Sequence, residues 1–499
     1  MGLGILEAKQ AVVPGTIQLF DSHEQAHDMS HLKHTKDGKT ILAPQPSDSP
    51  NDPLNWTPLQ KDFTYALLMI NTILSGVHAT ILSPVTVELA TEFNVTITKI
   101  AQLSSDMLLM VACSAFLLAP IANVYGKRGI FIVEIAIEMA ADAWACKAES
   151  YSSLLGARML SGVGMAAYVT LPLAVIPDVY FVHQRNKRIL TFLVGQASGA
   201  YLGTVIGGQI IAATSWRTAF MGLAISEGIM TIATFFLFEE CQYNRPHVDP
   251  LANLSEDVIL EKVHDLPHES KATTEELATE ETAIETRHSY VKRLNFYSGR
   301  KSQNNIFLLF YRSVALIFHP TVMYATCFTL LYSWDAGVSF TIDAFMTLPP
   351  YNFSTAGVSN VFLAPWLGTI IAALVGEPAL RLLTVWLTKK NNNVYEPEFR
   401  LFGAFPGVAL GIMGCVGWGW GEQDTIHWVG LAFFDGIMAA GAALMNATGV
   451  GYIIDAHREY ANETQVILFA VRVCHRLLCT LTISPSSASR WDTSLFLGG

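Results

Sequence analysis

The sequence predicts an all-α, polytopic membrane protein, and three observations carry that expectation. Hydrophobic residues make up 51% of the chain and charged residues only 15%, with a mean hydropathy of +0.35, a balance foreign to a water-soluble chain of this size. Apolar windows of about 20 residues, the length a helix needs to cross the hydrocarbon core, recur from Phe63 to Gly451. The charges behind the formal net charge of -11 lie largely outside those windows, in the N-terminal tail and between Glu256 and Glu285. Such a balance implies a lipid bilayer as partner and implies neither nucleic acid nor an acidic substrate.

Residues 1–62 form a polar, cytoplasmic N-terminal tail that ends in Pro44, Pro46, Pro50 and Pro53. No basic start leads into an apolar run, so no cleavable signal peptide is expected and the first span serves as its own insertion signal. The apolar windows are 63–83, 99–121, 129–147, 154–177, 189–213 and 218–238, then 321–343, 356–376, 402–420 and 428–450. They divide the chain into an N-terminal six-helix bundle (63–238), a charged cytoplasmic loop (239–305) and a C-terminal bundle (306–473) of four full spans and a partial one. The loop is acidic first (Glu275, Glu276, Glu280, Glu281) and basic last (Lys292, Arg293, Arg300, Lys301), as a solvated linker would be.

Lysine and arginine in the short loops set the orientation. With the N-terminus inside, cytoplasmic loops carry Lys127, Arg128, Arg185, Lys187, Arg188, Arg381, Lys389, Lys390 and Arg400, against Lys99, Lys147 and Arg217 outside. The sequons Asn94-Val-Thr and Asn352-Phe-Ser then fall outside and are expected glycosylation sites. An eleventh span opens at Val466, but Arg472, His475 and Arg476 interrupt it. Each central arginine costs roughly 2.5–3.5 kcal/mol on insertion scales, so abnormal insertion is expected, followed by an atypical polar tail at 474–499. The second bundle reads as truncated, either by a misread frame or as a ten-span variant. The seven cysteines are scattered without CxxC spacing, so neither a disulfide framework nor a metal site is expected.

Between the second and third windows stands Ala119-Pro-Ile-Ala-Asn123-Val-Tyr-Gly126-Lys127-Arg128. This resembles the loop motif of the major facilitator superfamily, with Asn123 where an acid is usual. Arg158-Met-Leu-Ser-Gly162-Val-Gly164 is similar to that superfamily's R-x-x-x-G-x-G signature. Gly199-Ala-Tyr-Leu-Gly203-Thr204-Val-Ile-Gly207-Gly208 resembles the motif of its proton-coupled antiporters, with Thr204 in place of proline. Asn51-Asp-Pro-Leu-Asn-Trp56, Asp178-Val-Tyr-Phe-Val-His-Gln-Arg185 and Glu396-Pro-Glu398-Phe-Arg400 resemble fungal drug:proton members of the twelve-span type. The resemblance implies two pseudo-symmetric bundles around a central site, alternating access, a small-molecule substrate exchanged against protons, no cofactor and a monomer. It further implies the plasma membrane, with the vacuolar membrane as alternative, and links Arg158 to proton coupling.

Physical chemistry adds its own reading of these positions. Gly199, Gly203 and Gly207 share one helix face and permit close backbone approach, as a hinge or as ordinary tight packing. Lys127 and Arg128 can pair with Asp178 at the cytoplasmic rim or simply anchor the loop. Arg158 lies inside an apolar window, where a charge must face a cavity or a partner. Acids inside the windows include Asp106, Glu134, Glu138, Asp142, Asp335, Asp343 and Asp435. Glu134, Glu138 and Asp142 form one stripe, too costly to face lipid while ionised. Asp106 and Asp435 are expected nearer a central cavity, and Asp343 near the outer end in solvent. Aromatics such as Tyr324, Phe328, Tyr332 and Trp334 suit an organic cation or plain packing. His23, His27, His31 and His34 read as a solvated tail. No phosphate loop, nucleophile elbow or HExxH helix is present, so no ATP-driven step and no enzyme activity is expected. The leading expectation is proton-coupled efflux of a drug or secondary metabolite through Arg158 and an acid such as Asp106. The alternatives are a polyamine or organic-cation transporter, or a truncated non-transporting relative.

Overall fold

The structure is a computed structural model that describes residues 17–18, 46–243, 287–297, 299–300, 305–330, 338, 342–343, 345–391, 394–456, 463–464 and 466–475. Six long helical runs come first. They are α1 (Pro58–Thr80) with its short extension α2 (Thr86–Glu92), α3 (Ile97–Tyr125), α4 (Arg128–Cys146), α5 (Tyr151–Thr170) continued by α6 (Pro172–Val179), α7 (Val182–Ala213) and α8 (Trp216–Leu237). Thr57, Thr96, Ser150 and Ser215 cap α1, α3, α5 and α8 by accepting from a backbone N–H three residues on, which satisfies a donor that lipid could not. Ahead of α1, Asp52 is buried and accepts from Ser47 N and Leu54 N, each at 3.0 Å, while Lys61 Nζ donates to Leu54 O at 2.9 Å. The Asn51–Trp56 motif therefore staples the entry of the first span.

The second bundle comprises α9 (Ile306–Leu316), α10 (Pro320–Leu330), α11 (Thr355–Val361), α12 (Leu363–Ile371), a π-helical turn at Ala372–Gly376, α13 (Glu377–Lys390), α14 (Ala404–Gln423), α15 (Trp428–Ala456) and α16 (Val466–His475). Among the described residues, eight helical runs are long and apolar enough to cross a membrane, nine if the α9–α10 pair, bent by 61°, is one span. The third window is not one of these, because Glu134, Glu138 and Asp142 interrupt it, yet α4 forms there as a helix packed on α5 and α8. Along the outer face of α8, Ile225, Ile229 and Ile232 are 57%, 62% and 63% exposed, a turn apart, as a lipid-facing stripe requires.

Ahead of the seventh window stands a further helix, Ile306–Leu316, which meets Pro320–Leu330 at a bend of 61° across residues 317–319. Two expectations are corrected. Asp343 is 2% exposed rather than solvated; it accepts from Thr86 Oγ1 and from Val87 N (3.1 Å), a clasp between the two bundles. The partial eleventh span is a packed helix: Val466, Leu468 and Val473 are buried, and Val466 clusters with Met107, Val111 and Met165 of the first bundle. Its arginine is accommodated because it lines an interior cavity instead of facing lipid. The N-terminal tail contributes a two-residue antiparallel pairing, Ile17–Gln18 with Val394–Tyr395. Asp335, Tyr332, Trp334, the tail histidines and Arg476 lie outside the described residues.

The far end of the charged loop returns to the first bundle. Arg287 Nη2 donates to Gln60 Oε1 (3.0 Å), His288 N to Asn51 Oδ1 (2.9 Å), Arg293 pairs with Glu239 (2.7 Å), and Leu294 O accepts from Arg128 Nη1 (2.5 Å).

Candidate functional site

Between the bundles lies a cavity of about 230 Å³. Its walls come from α1 (Thr72, Ser75), α5 (Met165, Val169), α7 (Tyr201), the π-helical turn (Ala372, Ala373), α15 (Asn446) and α16 (Phe469, Arg472). A π-turn widens the helix locally and is common at functional sites; here it presents two alanines to the cavity.

Behind the α1 wall is a buried polar cluster drawn from four helices. His78 Nδ1 stands 2.9 Å from Asp142 Oδ1 and 4.0 Å from Glu227 Oε1, and its Nε2 is 2.8 Å from Ser161 Oγ. Arg158 donates from Nη1 to His78 O at 2.9 Å and faces the Phe220 ring, with the charges of Asp142 and Glu138 nearby. Ser75 Oγ donates to Glu138 Oε2 at 3.2 Å, and Glu134 accepts from Ala167 N. His78, Glu134, Glu138, Asp142, Arg158 and Glu227 are all buried. Four carboxylates, one guanidinium and one imidazole thus share one buried cluster, a set that is costly to hold in the membrane interior with every acid ionised. His78, Asp142 and Glu227 each offer one ligand atom within 4.8 Å of the others, a donor set that a divalent cation would also accept.

The sequence-predicted residues fall into separate places. Arg158 and the α4 stripe meet, and Gly164 lets them: a Cβ there would sit 2.6 Å from Glu138 N and 2.8 Å from Glu134 O. Gly162 stands in the same way against Met107 and Met110 of α3. Asp106 and Asp435 do not join this set. Asp106 is half-buried on α3 beside Tyr151, and Asp435 is buried on α15 away from the cavity lining. At the loop motif, Lys127 Nζ pairs with Asp178 Oδ2 at 2.5 Å. Arg128 instead donates to Phe235 O, Phe238 O and Leu294 O, and Arg185 to Tyr180 O and Pro177 O. Glu240 accepts from the backbone N–H groups of Lys127 and Arg128, each at 3.2 Å, placing a carboxylate at the N-terminus of α4. Gly126, at φ +102°, leaves room for that carboxylate, and Asn123 O accepts from Gln242.

The glycine seam lies against α1 in register: Gly199 over Ile73, Gly203 over Val77 and Gly207 over Ile81. Thr204 is buried and donates to Ala200 O at 2.7 Å, while Gly208 meets Ser359 of α11 across the bundle interface. Asn94 and Asn352 stand in turns, each at positive φ (53° and 49°). His78 and Glu227 are absent from the sequence-based expectation. Both are ionisable residues inside apolar windows, the same signal that singled out Arg158.

A model of the Major Facilitator Superfamily matches residues 68–472. An uncharacterised transporter of that type from Schizosaccharomyces pombe is 25% identical, covering 91% of this chain and 83% of its own length. Protein HOL1 of Saccharomyces cerevisiae is 21% identical over 97% of this chain and 91% of its own. Among solved structures, the proton:xylose symporter XylE is similar with a TM-score of 0.54 at 12% identity, covering 88% of this chain and 92% of that one; likeness at this identity speaks to the fold alone.

Proposed function

The chain belongs to the major facilitator superfamily, and from that premise we propose that it is a proton-coupled secondary transporter that exports a small organic compound through the cavity between its bundles. One observation carries the proposal: Ser75 lines the cavity and also donates to Glu138 of the buried cluster. A single hydroxyl thus joins the space where a substrate would sit to the groups that would hold the coupled proton. In this reading Glu138 and Glu227 carry the coupled proton beside the His78–Asp142 pair, and Arg158 supplies the positive charge of the cluster. Arg158 with these acids, rather than with Asp106 or Asp435, is the coupling set we favour.

The loop motif acts as the cytoplasmic gate in this reading, with Lys127–Asp178 forming and breaking as the bundles rock. Export, rather than import, follows from the antiporter-like glycine motif. Orientation with the N-terminus inside, glycosylation at Asn94 and Asn352, a monomeric state and residence in the plasma membrane complete it. A second reading, a polyamine or organic-cation transporter, is favoured by the same carboxylates, one hydroxyl behind the cavity wall.

The test is proton flux in liposomes that hold the purified chain and trapped pyranine, challenged with a panel of secondary metabolites. Substrate addition is expected to move protons in the wild type and not in Glu138→Gln. Substrate flux indifferent to collapse of the pH gradient would sink the coupling.

A further inference from the structure

We propose that residues 287–297 form a docking surface for anionic phospholipid at the membrane face where the loop motif lies, cytoplasmic in the orientation proposed above. Such a surface needs only a chain that spans a bilayer, whatever that chain transports.

The sequence sets the chemistry of this segment. From Arg287 to Tyr297 it carries Arg287, Lys292 and Arg293 and no acid, interleaved with Tyr290, Phe296 and Tyr297, and Arg300 and Lys301 follow. The structure sets its depth. Tyr290 Oη donates to Phe236 O at the end of α8, the Tyr297 ring stands 6.0 Å from that of Tyr125 at the end of α3, and the Phe296 carbonyl lies against Gly129 at the start of α4. The segment thus crosses the ends of three helices, level with Phe235 and Phe236, which are exposed and continue the lipid-facing stripe of α8. Its own side chains point outward from there: Tyr290, Val291, Phe296 and Tyr297 are 50%, 76%, 53% and 59% exposed, and Lys292 is exposed among them.

Held in water, these large apolar side chains would be costly; at headgroup level the rings and the bases each meet a medium that suits them. The rings enter the boundary of the acyl chains, and the charged heads stay among the phosphates. Charge decides which phospholipid. Arg293 is engaged by Glu239 at 2.7 Å. Arg287 donates to the neutral amide of Gln60, and among the described residues neither it nor Lys292 meets a carboxylate, so both charges are left for a headgroup. Glu239 and Glu240, at the same face, are themselves held, the first by Arg293 and Gln60, the second by the amides of Lys127 and Arg128. The acidic stretch between Glu256 and Glu285 carries a charge every few residues, and so matches only the basic half of the surface. An anionic lipid matches both halves.

The experiment follows the melting temperature of the purified full-length chain in mild detergent as lipid is added, a readout of binding by mass action. Dioleoyl phosphatidylglycerol is expected to raise it at a concentration roughly tenfold lower than dioleoyl phosphatidylcholine requires. Lys292→Gln should raise the phosphatidylglycerol concentration needed by roughly fivefold, the share of one base near an anionic surface. Val291→Glu puts a carboxylate on the outward face and should lose most of the response, whereas the same change in a solvated linker would alter nothing. Either variant alone suffices, and each is read against its own lipid-free melting curve. Glycerol 1-phosphate, the headgroup without its chains, is expected to shift nothing. Equal shifts by the two lipids, or a wild-type response to phosphatidylglycerol in both variants, would overturn the inference. A soluble headgroup as effective as the lipid would assign the surface to an acidic partner in solution and overturn it equally. None of these outcomes depends on whether the chain moves protons.

Discussion

A single methyl group at Gly199 is expected to loosen the first bundle measurably, whereas the same group at Gly222 is not. A Cβ on Gly199 would lie 2.9 Å from Ile73 Cα and 3.1 Å from its carbonyl carbon, with the carbonyl oxygen closer still. All three are backbone atoms, so no side-chain rotation relieves the overlap. Ordinary contact begins at 3.4 Å, and the difference means that α1 and α7 must separate by about 0.5 Å or more, a strain of the overpacking kind that costs roughly 1–3 kcal/mol. At Gly222 nothing lies within 4 Å of the added atom, and alanine there gains helix propensity of up to about 1 kcal/mol. Gly199→Ala gains the same propensity, which cancels in the comparison, so it should fall below Gly222→Ala by about 1–3 kcal/mol in unfolding from mild detergent. Gly207→Ala should lie between them, because its nearest neighbour is Ile81 Cγ1 at 3.1 Å, a side-chain atom that can yield. Transport rates separate the two meanings of the seam. If it slides during the cycle, Gly199→Ala loses flux out of proportion to its lost stability; if it only packs, flux follows the folded fraction. Equal stability of Gly199→Ala and Gly222→Ala would refute the close approach itself.

Two further outcomes follow from other parts of the fold. Asp343 receives three hydrogen bonds, from Thr86 Oγ1, Val87 N and Thr347 Oγ1, so Asp343→Asn should weaken the clasp between bundles. An impermeant maleimide should then label a cysteine placed at Ser83, on the cavity wall, about tenfold faster, the equivalent of roughly 1.4 kcal/mol; an unchanged rate would count against the clasp. Beyond the end of α8, burial pushes the Cys241 thiol up, with Glu240 and Asp178 adding in the same direction. The folded state therefore disfavours the thiolate. Its contribution is fully present below the unfolded thiol's pKa, about 8.5, and is lost as pH rises toward the higher folded value. The melting temperature of the wild type should decline above about pH 8.5 more steeply than that of Cys241→Ala, and parallel curves would contradict this.

Bilayer thickness fixes how long an apolar run must be, and that is why the helices are legible in the sequence while their neighbours are not. The Glu134, Glu138 and Asp142 stripe is readable because a four-residue interval is a helical property. That it meets His78 and Glu227 is not, since the pairing of α4 with α1 and α8 is tertiary. Asp106 and Asp435 share with the cluster acids a place inside an apolar window, and that place alone does not tell which acid faces a partner. Arg472 misleads in the opposite way: an insertion penalty assumes lipid as surroundings, and a helix that buries one face against the other bundle supplies different ones. Asp343 is hidden from sequence reasoning because the N-terminus of α2, which receives its carboxylate, belongs to the other half of the chain.

The return of residues 287–294 to the first bundle shortens the leash between the two halves. Counted by sequence the connection is long, but its end is already moored to Asn51, Gln60, Arg128 and Glu239. From Leu294 to the first residue of α9 the chain can reach at most about 40 Å, the fully extended length of so few residues. Slack upstream of the mooring contributes nothing to that reach. If the halves rock as proposed above, insertions or deletions before Arg287 should leave that motion untouched, while a loss of a few residues just after Leu294 would act as a mechanical stop.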